Sequence, residues 1–292
     1  MELGVFVIAE IGCNHMGNPD IALSMIDVLS SLCKVDAVKF QKRTVRELLS
    51  EEEYNAPHPE PRNSYGTTYG EHRERLEFDV TRHRALMEYC RAKGLKYSCS
   101  VWDPTAAREI VSLSPDFIKI PSACNTDFRV HDYLCREFSG EIHVSLGMTS
   151  RAEEEIVSRF VRFGRNKDVV LYSCTSGYPV PFEDVCLMEI ERLRERYASV
   201  VKAIGFSGHH LGIAADVAAM TLGATYIERH FTLDRTWKGT DHAASLEPDG
   251  MRRLVRDLHN VGKALRFKEE EILAIELAQS KKLKRPLREA RI

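Results

Sequence analysis

The chain has 292 residues, 43% of them hydrophobic and 29% charged, enough for one self-supporting core and ordinary for a globular domain. Its formal net charge of −2 argues against nucleic acid as a partner, and no stretch approaches the roughly 20 apolar residues of a membrane span. The early apolar run VFVIAEIG is too short for a secretory leader and lacks a basic start, so a cytoplasmic location is expected.

Short β-branched or apolar runs recur along the chain. In order they are VFVIAE (5–10), DAVKFQ (36–41), LKYSCS (95–100), FIKIPS (117–122), IHVSLG (142–147), VVLYSC (169–174), AIGFSG (203–208) and TYIERHF (225–231). Runs of this length between turn residues suit buried parallel strands. Amphipathic helical patterns lie between them, among them PDIALSMIDVLSSLC, VTRHRALMEYCRAKG, RAEEEIVSRFVRFG, PFEDVCLMEIERLRERY and GIAADVAAMTLG. Ser150 is placed to cap the third of these. Eightfold strand–helix alternation predicts an α/β fold of the (β/α)8 TIM-barrel type. An open dinucleotide-binding sheet would want GxGxxG after the first strand, and GCNHMG does not match.

One segment breaks the rhythm. Residues 51–78 carry three prolines and many polar and aromatic side chains, which predicts a long substrate-covering loop after the second strand. The barrel is expected over residues 1–267, with a C-terminal helix and basic tail over 268–292. The eight cysteines (Cys13, Cys33, Cys90, Cys99, Cys124, Cys135, Cys174 and Cys186) form no CxxC pair and read as small buried hydrophobes in a reducing compartment.

A TIM barrel takes its catalytic side chains from the C-terminal ends of its strands. Those ends supply Glu10, Asn14 and His15; Lys39 and Gln41; Ser100; Lys119 and Ser122; Ser145; Ser176 and Tyr178; Ser207, His209 and His210; Glu228 and His230. Lys39 and Lys119 sit inside the apolar runs VKF and IKI, and a desolvated lysine demands an anion. Two such lysines among serine hydroxyls would suit a compact dianion plus a carboxylate, as in phosphoenolpyruvate. An internal salt bridge, with Glu10 for instance, is the competing explanation. His209 and His230 end consecutive strands and are placed to share a divalent metal, with Glu10, Glu228 and Asp241 as candidate carboxylates around it.

The stretches IAEIGCNHMG, DAVKFQ, FIKIPSA, SLGM, CTSGYPVPFEDV, IGFSGHH and GATYIERHFTLDR resemble the sialic acid synthase family, the phosphoenolpyruvate-dependent N-acetylneuraminate synthases and their relatives. The resemblance runs from residue 7 to about 250 and implies a TIM barrel with a divalent metal, Mn²⁺ or Mg²⁺. It implies that His209 and His230 bind the metal. Lys39, Lys119, Ser122, Ser145 and Ser207 match phosphoenolpyruvate-contacting positions, and Ser100 falls where the family has a hydroxyl. Glu10 matches the active-site glutamate, and Tyr178 and Asn63 match residues near the sugar. Gln41, Ser176 and Asp241 complete the expected substrate-binding set. The implied reaction joins phosphoenolpyruvate to a six-carbon sugar, giving a nonulosonic acid and phosphate, in a homo-oligomer (a dimer or tetramer).

Two departures from the family pattern bear on the substrate. KIPSACNTD puts Cys124 and Asn125 where the family usually has an acid. The chain is also expected to lack the C-terminal antifreeze-like domain that contacts the acetamido group in many members. Lys42, Arg43, Arg62, His72, Arg73, Arg75, Arg235 and Lys238 offer basic groups for a sugar phosphate instead. The pattern is most similar to barrel-only members that convert mannose 6-phosphate to the deaminated nonulosonate (KDN) 9-phosphate. N-acetylmannosamine or its 6-phosphate, an eight-carbon Kdo 8-phosphate-type reaction, and an inactive sugar-phosphate-binding barrel are the alternatives.

Overall fold

The structure is a computed structural model and describes residues 4–285. Eight parallel strands close into one barrel in sequence order. They are β1 (Phe6–Gly12), β2 (Ala37–Lys42), β3 (Lys96–Val101), β4 (Phe117–Ile120), β5 (Glu141–Ser145), β6 (Val169–Cys174), β7 (Ala203–Gly208) and β8 (Tyr226–His230). All eight coincide with the predicted runs to within a few residues, and the (β/α)8 expectation holds.

The strands alternate faces. Outward residues such as Val7, Ala9, Val38, Phe40, Ile118 and Ile120 pack under the surrounding helices in the main core. Inward residues form two layers. Ile8, Ala37, Phe117, Val170 and Tyr172 make a small apolar cluster low in the barrel. Two residues further along their strands come Glu10, Lys39, Lys119 and Cys174, which line a cavity. The period of two thus turns one apolar layer into one reactive layer.

The first helix, Pro19–Val28, is capped by Asn18, whose side chain accepts from Asp20 N, and it ends in a π-helical turn, Leu29–Cys33. Ser150 and Glu153 exchange the reciprocal bonds of a capping box, as the sequence suggested, although the α-helix proper starts only at Ile156. The segment 51–78 departs from expectation. Instead of an unstructured loop it contains helices Glu51–Asn55 and Tyr69–Leu76. Capping boxes Ser50/Glu53 and Thr68/Glu71 start them, each satisfying two otherwise orphaned donors. Near the C-terminus Ala274–Leu283 is helical and buries none of its side chains. Residues 286–292 of the expected basic tail lie outside the described residues. No helix among the described residues is long and apolar enough to cross a membrane.

The cysteines are free, and Cys33, Cys90, Cys99, Cys124 and Cys135 are buried as expected. Cys186 is exposed and Cys174 is half-buried at the cavity.

Four imidazoles are built into the core. His15 stacks on Phe78 at 4.0 Å, and His83 meets the Tyr97 hydroxyl at 2.6 Å. His131 bonds the Asn125 carbonyl at 2.8 Å, and His143 meets the Tyr172 hydroxyl at 2.8 Å. Burial holds the first two down to about 3 and the last two down to about 4. The unfolded chain protonates these rings near pH 6.5, whereas the folded chain does so only near pH 3–4. Stability should therefore be level above pH 7 and fall as pH drops below about 6.5, by up to about 1.4 kcal/mol per pH unit for each histidine. Urea unfolding between pH 7.5 and 4.5 measures this, and an unchanged midpoint across that range would contradict it.

Candidate active site

Four charged side chains meet inside the barrel. Lys39 Nζ lies 2.6 Å from Glu10 Oε2 and 3.7 Å from Glu228 Oε2, and it donates to Ser100 Oγ at 2.7 Å. Lys119 Nζ donates to Glu228 Oε1 and Oε2 at 3.1 and 3.0 Å. Ser207 Oγ adds a bond to Glu228 Oε1 at 3.0 Å, and Gln41 Nε2 one to Glu10 Oε1 at 2.7 Å. All four charged groups are buried. Two lysines against two carboxylates cancel, and each desolvated ion has a partner, as buried charge requires.

Glu10 and Glu228, offered above as carboxylates around a metal, sit against the two lysines. Both are engaged by the lysines, and the ion pair that competed with ligand binding in the sequence reading is present, with Glu228 as well as Glu10. Burial pushes the Glu228 carboxyl up, but Lys119 and Lys39 outweigh it and hold it well below the usual range. For Glu10, burial outweighs Lys39 and the carboxyl is raised.

These groups line a cavity of about 240 Å³ at the C-terminal mouth of the barrel. Ser122, Ser145, Ser176, Ser207 and Cys174 add polar atoms to its wall. Ser122 Oγ accepts from Gly147 N at 3.1 Å. A Cβ on Gly147 would come within 2.5 Å of Ser176 Oγ and 2.7 Å of Ser122 Oγ, so the turn after β5 needs glycine for the hydroxyls to converge.

His209 and His230 face each other on this wall, ring centroids 5.3 Å apart. His209 Nδ1 meets the Thr175 carbonyl at 2.9 Å. A carbonyl only accepts, so Nδ1 carries a proton. Burial pulls the ring's pKa down, but Cys174 and the Thr175 carbonyl outweigh it and raise it, and Nε2 is the atom left for a metal once the ring gives up its second proton. Burial holds His230 down to about 3, which keeps it neutral, and its Nδ1 has no hydrogen-bond partner. Asp241 Oδ2 is 3.8 Å from that atom. Two imidazoles facing each other, His230 neutral and His209 fixed through Nδ1, fit a metal whose other positions are filled by substrate or water. Among the described residues no group of three or more His, Cys, Asp or Glu side chains is placed to hold an ion.

An outer pocket of about 560 Å³ adjoins the cavity, the two sharing Tyr178. Arg62, Asn63, Arg235, Trp237 and Thr240 line it. The segment 51–78 reaches it from one side and the loop after β8 from the other. The two are joined where the Tyr65 hydroxyl donates to the Lys238 carbonyl and Lys238 Nζ lies over the Tyr65 ring.

Most of the sequence-predicted residues thus gather at one place. Asn63 lies in the outer pocket. Asp241 lines neither space and reaches the site only through His230. Asn14 bonds the Phe231 carbonyl and Ser245, and His210 lies against Arg229 and Asp216, so these strand-end residues and His15 serve the scaffold. Cys124 and Asn125 do not line the cavity; Ala123 does. Asn125 ties the turn after β4 to the Ser145 carbonyl and Thr149. Of the basic residues, Lys42 pairs with Glu109 and Arg43 with Glu77, His72 is buried, and Arg73 donates to the Tyr69 hydroxyl. Only Arg62 and Arg235 face the outer pocket. Trp102, two residues past Ser100, lines the cavity under the Arg43 guanidinium; its place beyond the strand end hid it from a reading restricted to those ends.

Residues 25–270 match the NeuB family. The chain is 36% identical to human N-acetylneuraminate-9-phosphate synthase over 278 residues, covering 95% of this chain and 76% of that one. It is 29% identical to N,N'-diacetyllegionaminic acid synthase of Campylobacter jejuni over 261 residues, 89% of this chain and 77% of that one. Among solved structures, the N-acetylneuraminic acid synthetase of Leptospira borgpetersenii, crystallised with citrate, superposes with a TM-score of 0.80 at 27% identity, covering 97% of this chain and 93% of that one.

Proposed function

This chain belongs to the NeuB family, and from that premise we propose that it condenses phosphoenolpyruvate with a six-carbon sugar to give a nonulosonic acid and inorganic phosphate. The observation that carries the reading is the buried pair of lysines, each already matched to a carboxylate, at the base of a serine-lined cavity beside two histidines. Lys39, Lys119 and the hydroxyls of Ser100, Ser122, Ser145 and Ser207 hold the phosphate and carboxylate of phosphoenolpyruvate. Fixing it there turns its meeting with the sugar into a positioned step.

Carbon 3 of phosphoenolpyruvate attacks the aldehyde carbon of the open-chain sugar, forming the new C–C bond and leaving an electron-poor C2. Water adds at C2, and the tetrahedral intermediate expels phosphate by C–O cleavage. Glu10, raised by burial and bonded to Lys39 and Gln41, handles the proton of the incoming water. His209 and His230 would hold a divalent cation, Mn²⁺ or Mg²⁺, which supplies Lewis-acid polarisation of the aldehyde oxygen when bound. The sugar extends past Tyr178 into the outer pocket, towards Asn63.

Arg62 and Arg235 in that pocket support a phosphorylated acceptor. Mannose 6-phosphate, followed by N-acetylmannosamine 6-phosphate, should outperform free N-acetylmannosamine in kcat/KM. A phosphate held by one or two arginines gains charge-assisted bonds worth roughly 1.5–3 kcal/mol each, and remote binding of this kind also raises turnover. Phosphate release with each sugar decides the matter, and a clear preference for free N-acetylmannosamine would reverse this assignment. Free thiols throughout support a reducing, cytoplasmic setting. Exposed Phe267, Ile275 and Leu283 support a homo-oligomer.

A further inference from the structure

Lys119 stands on an aromatic floor. Its Nζ lies 3.6 Å from the centroid of the Tyr172 ring, and both residues are buried. The ring is fixed from several sides. Tyr172 pairs in register with Gly205 of β7, where a Cβ would sit 2.6 Å from Tyr172 Cε1 and 2.8 Å from Cδ1. Only glycine lets the ring lie there. From below, the Tyr172 hydroxyl donates to His143 Nδ1 at 2.8 Å, while His143 Nε2 faces Glu141 Oε2 at 3.5 Å. Both contacts are met when the imidazole proton is on Nε2. His143 is itself stacked on Phe117, centroids 4.2 Å apart. Glu141 accepts from Lys202 and, at 3.2 Å, from the Tyr226 hydroxyl. A column thus rises from the lower end of the barrel through Glu141, His143 and Tyr172 to the ammonium group.

We propose that Tyr172 is a positioning residue for anion capture, its π face holding the Lys119 ammonium at the base of the cavity with its N–H bonds turned to the ligand. A ring face attracts a cation without taking up an oxygen-acceptor position around it. The ammonium has three donors, and two bonds from it go to Glu228 in this structure. When an anion reaches Lys119, the bonds to Glu228 are shared or exchanged, whereas the contact with Tyr172 persists. An aliphatic side chain at 172 would replace that ring face with apolar surface, in the layer that already holds Phe117 and Val170, and apolar surface disfavours a cation. The inference rests on the reading of phosphoenolpyruvate as the ligand of this cavity.

The test is calorimetric titration with phosphoenolpyruvate, together with its KM and the sugar's KM. Tyr172→Leu should weaken phosphoenolpyruvate binding about tenfold, the sugar's KM moving less than twofold; Tyr172→Phe should recover most of the loss. Phenylalanines carrying one, two and three ring fluorines at position 172 keep the shape and drain the π face, and should weaken binding step by step. A flat fluorine series, or Tyr172→Phe as impaired as Tyr172→Leu, would overturn the proposal. Should the leucine variant fail to fold, the near-isosteric fluorine series still decides. Wild-type protein that binds phosphoenolpyruvate yet releases no phosphate with any sugar would overturn the reaction assigned above and leave this proposal to the binding series. Wild-type protein that does not bind it would overturn both.

Discussion

His209→Ala and His230→Ala are each expected to abolish phosphate release while leaving the fold intact. His209 is oriented by the Thr175 carbonyl, and His230 is kept unprotonated by burial. Truncating these rings, 5.3 Å apart on the cavity wall, should cost the barrel little, because the one strong bond given up is that of His209 to the Thr175 carbonyl. Circular dichroism and the thermal midpoint should therefore stay close to wild type, while turnover disappears. Chelator treatment of the wild type should have the same effect, reversed by Mn²⁺ or Mg²⁺. Full activity in chelator-treated, metal-depleted protein would remove the metal from the reaction.

Lys119→Met should weaken phosphoenolpyruvate far more than sugar. The substitution removes a desolvated cation that also balances Glu228, so the arriving anion meets a carboxylate with Lys39 at 3.7 Å as its remaining cation. Losing one partner of a buried charge pair costs about 2–5 kcal/mol, which corresponds to about 30-fold to several thousand-fold in affinity. The double variant Lys119→Met/Glu228→Gln should recover part of the loss, since it removes the orphaned charge with the cation. Unchanged affinity and turnover in Lys119→Met would make Lys119 part of the scaffold.

The barrel was legible because its signals are local. Eight buried strands announce themselves as apolar runs, and the strand ends carry the reactive layer two residues after an apolar one, as in Ile8 and Glu10 or Phe117 and Lys119. What stayed hidden depends on distance across the barrel. That Lys119 would take Glu228, 109 residues away, cannot be read from either strand. Tyr172 stood in a recognised run, but its place under Lys119 is set by the absence of a Cβ on the neighbouring strand. The helices within 51–78 were a different kind of miss. Their caps, SEEE and TYGE, are written in the chain, and the surrounding prolines and glycines obscured them. The basic residues of that region misled because composition does not tell a guanidinium held by Glu77, as Arg43 is, from one facing a pocket.

The cancelling charges of Glu10, Lys39, Lys119 and Glu228 also bear on the trade between activity and robustness. A binding site built of bare lysines would strain the fold whenever empty, and removing them would then stabilise the protein. Here the resting charges answer one another, Lys39 with Glu10 and Lys119 with Glu228. Occupancy swaps one set of partners for another, so the scaffold is spared the internal repulsion of like charges awaiting a guest. Ligand-induced protection against unfolding should then follow mass action alone, with no hidden relief of strain added to it.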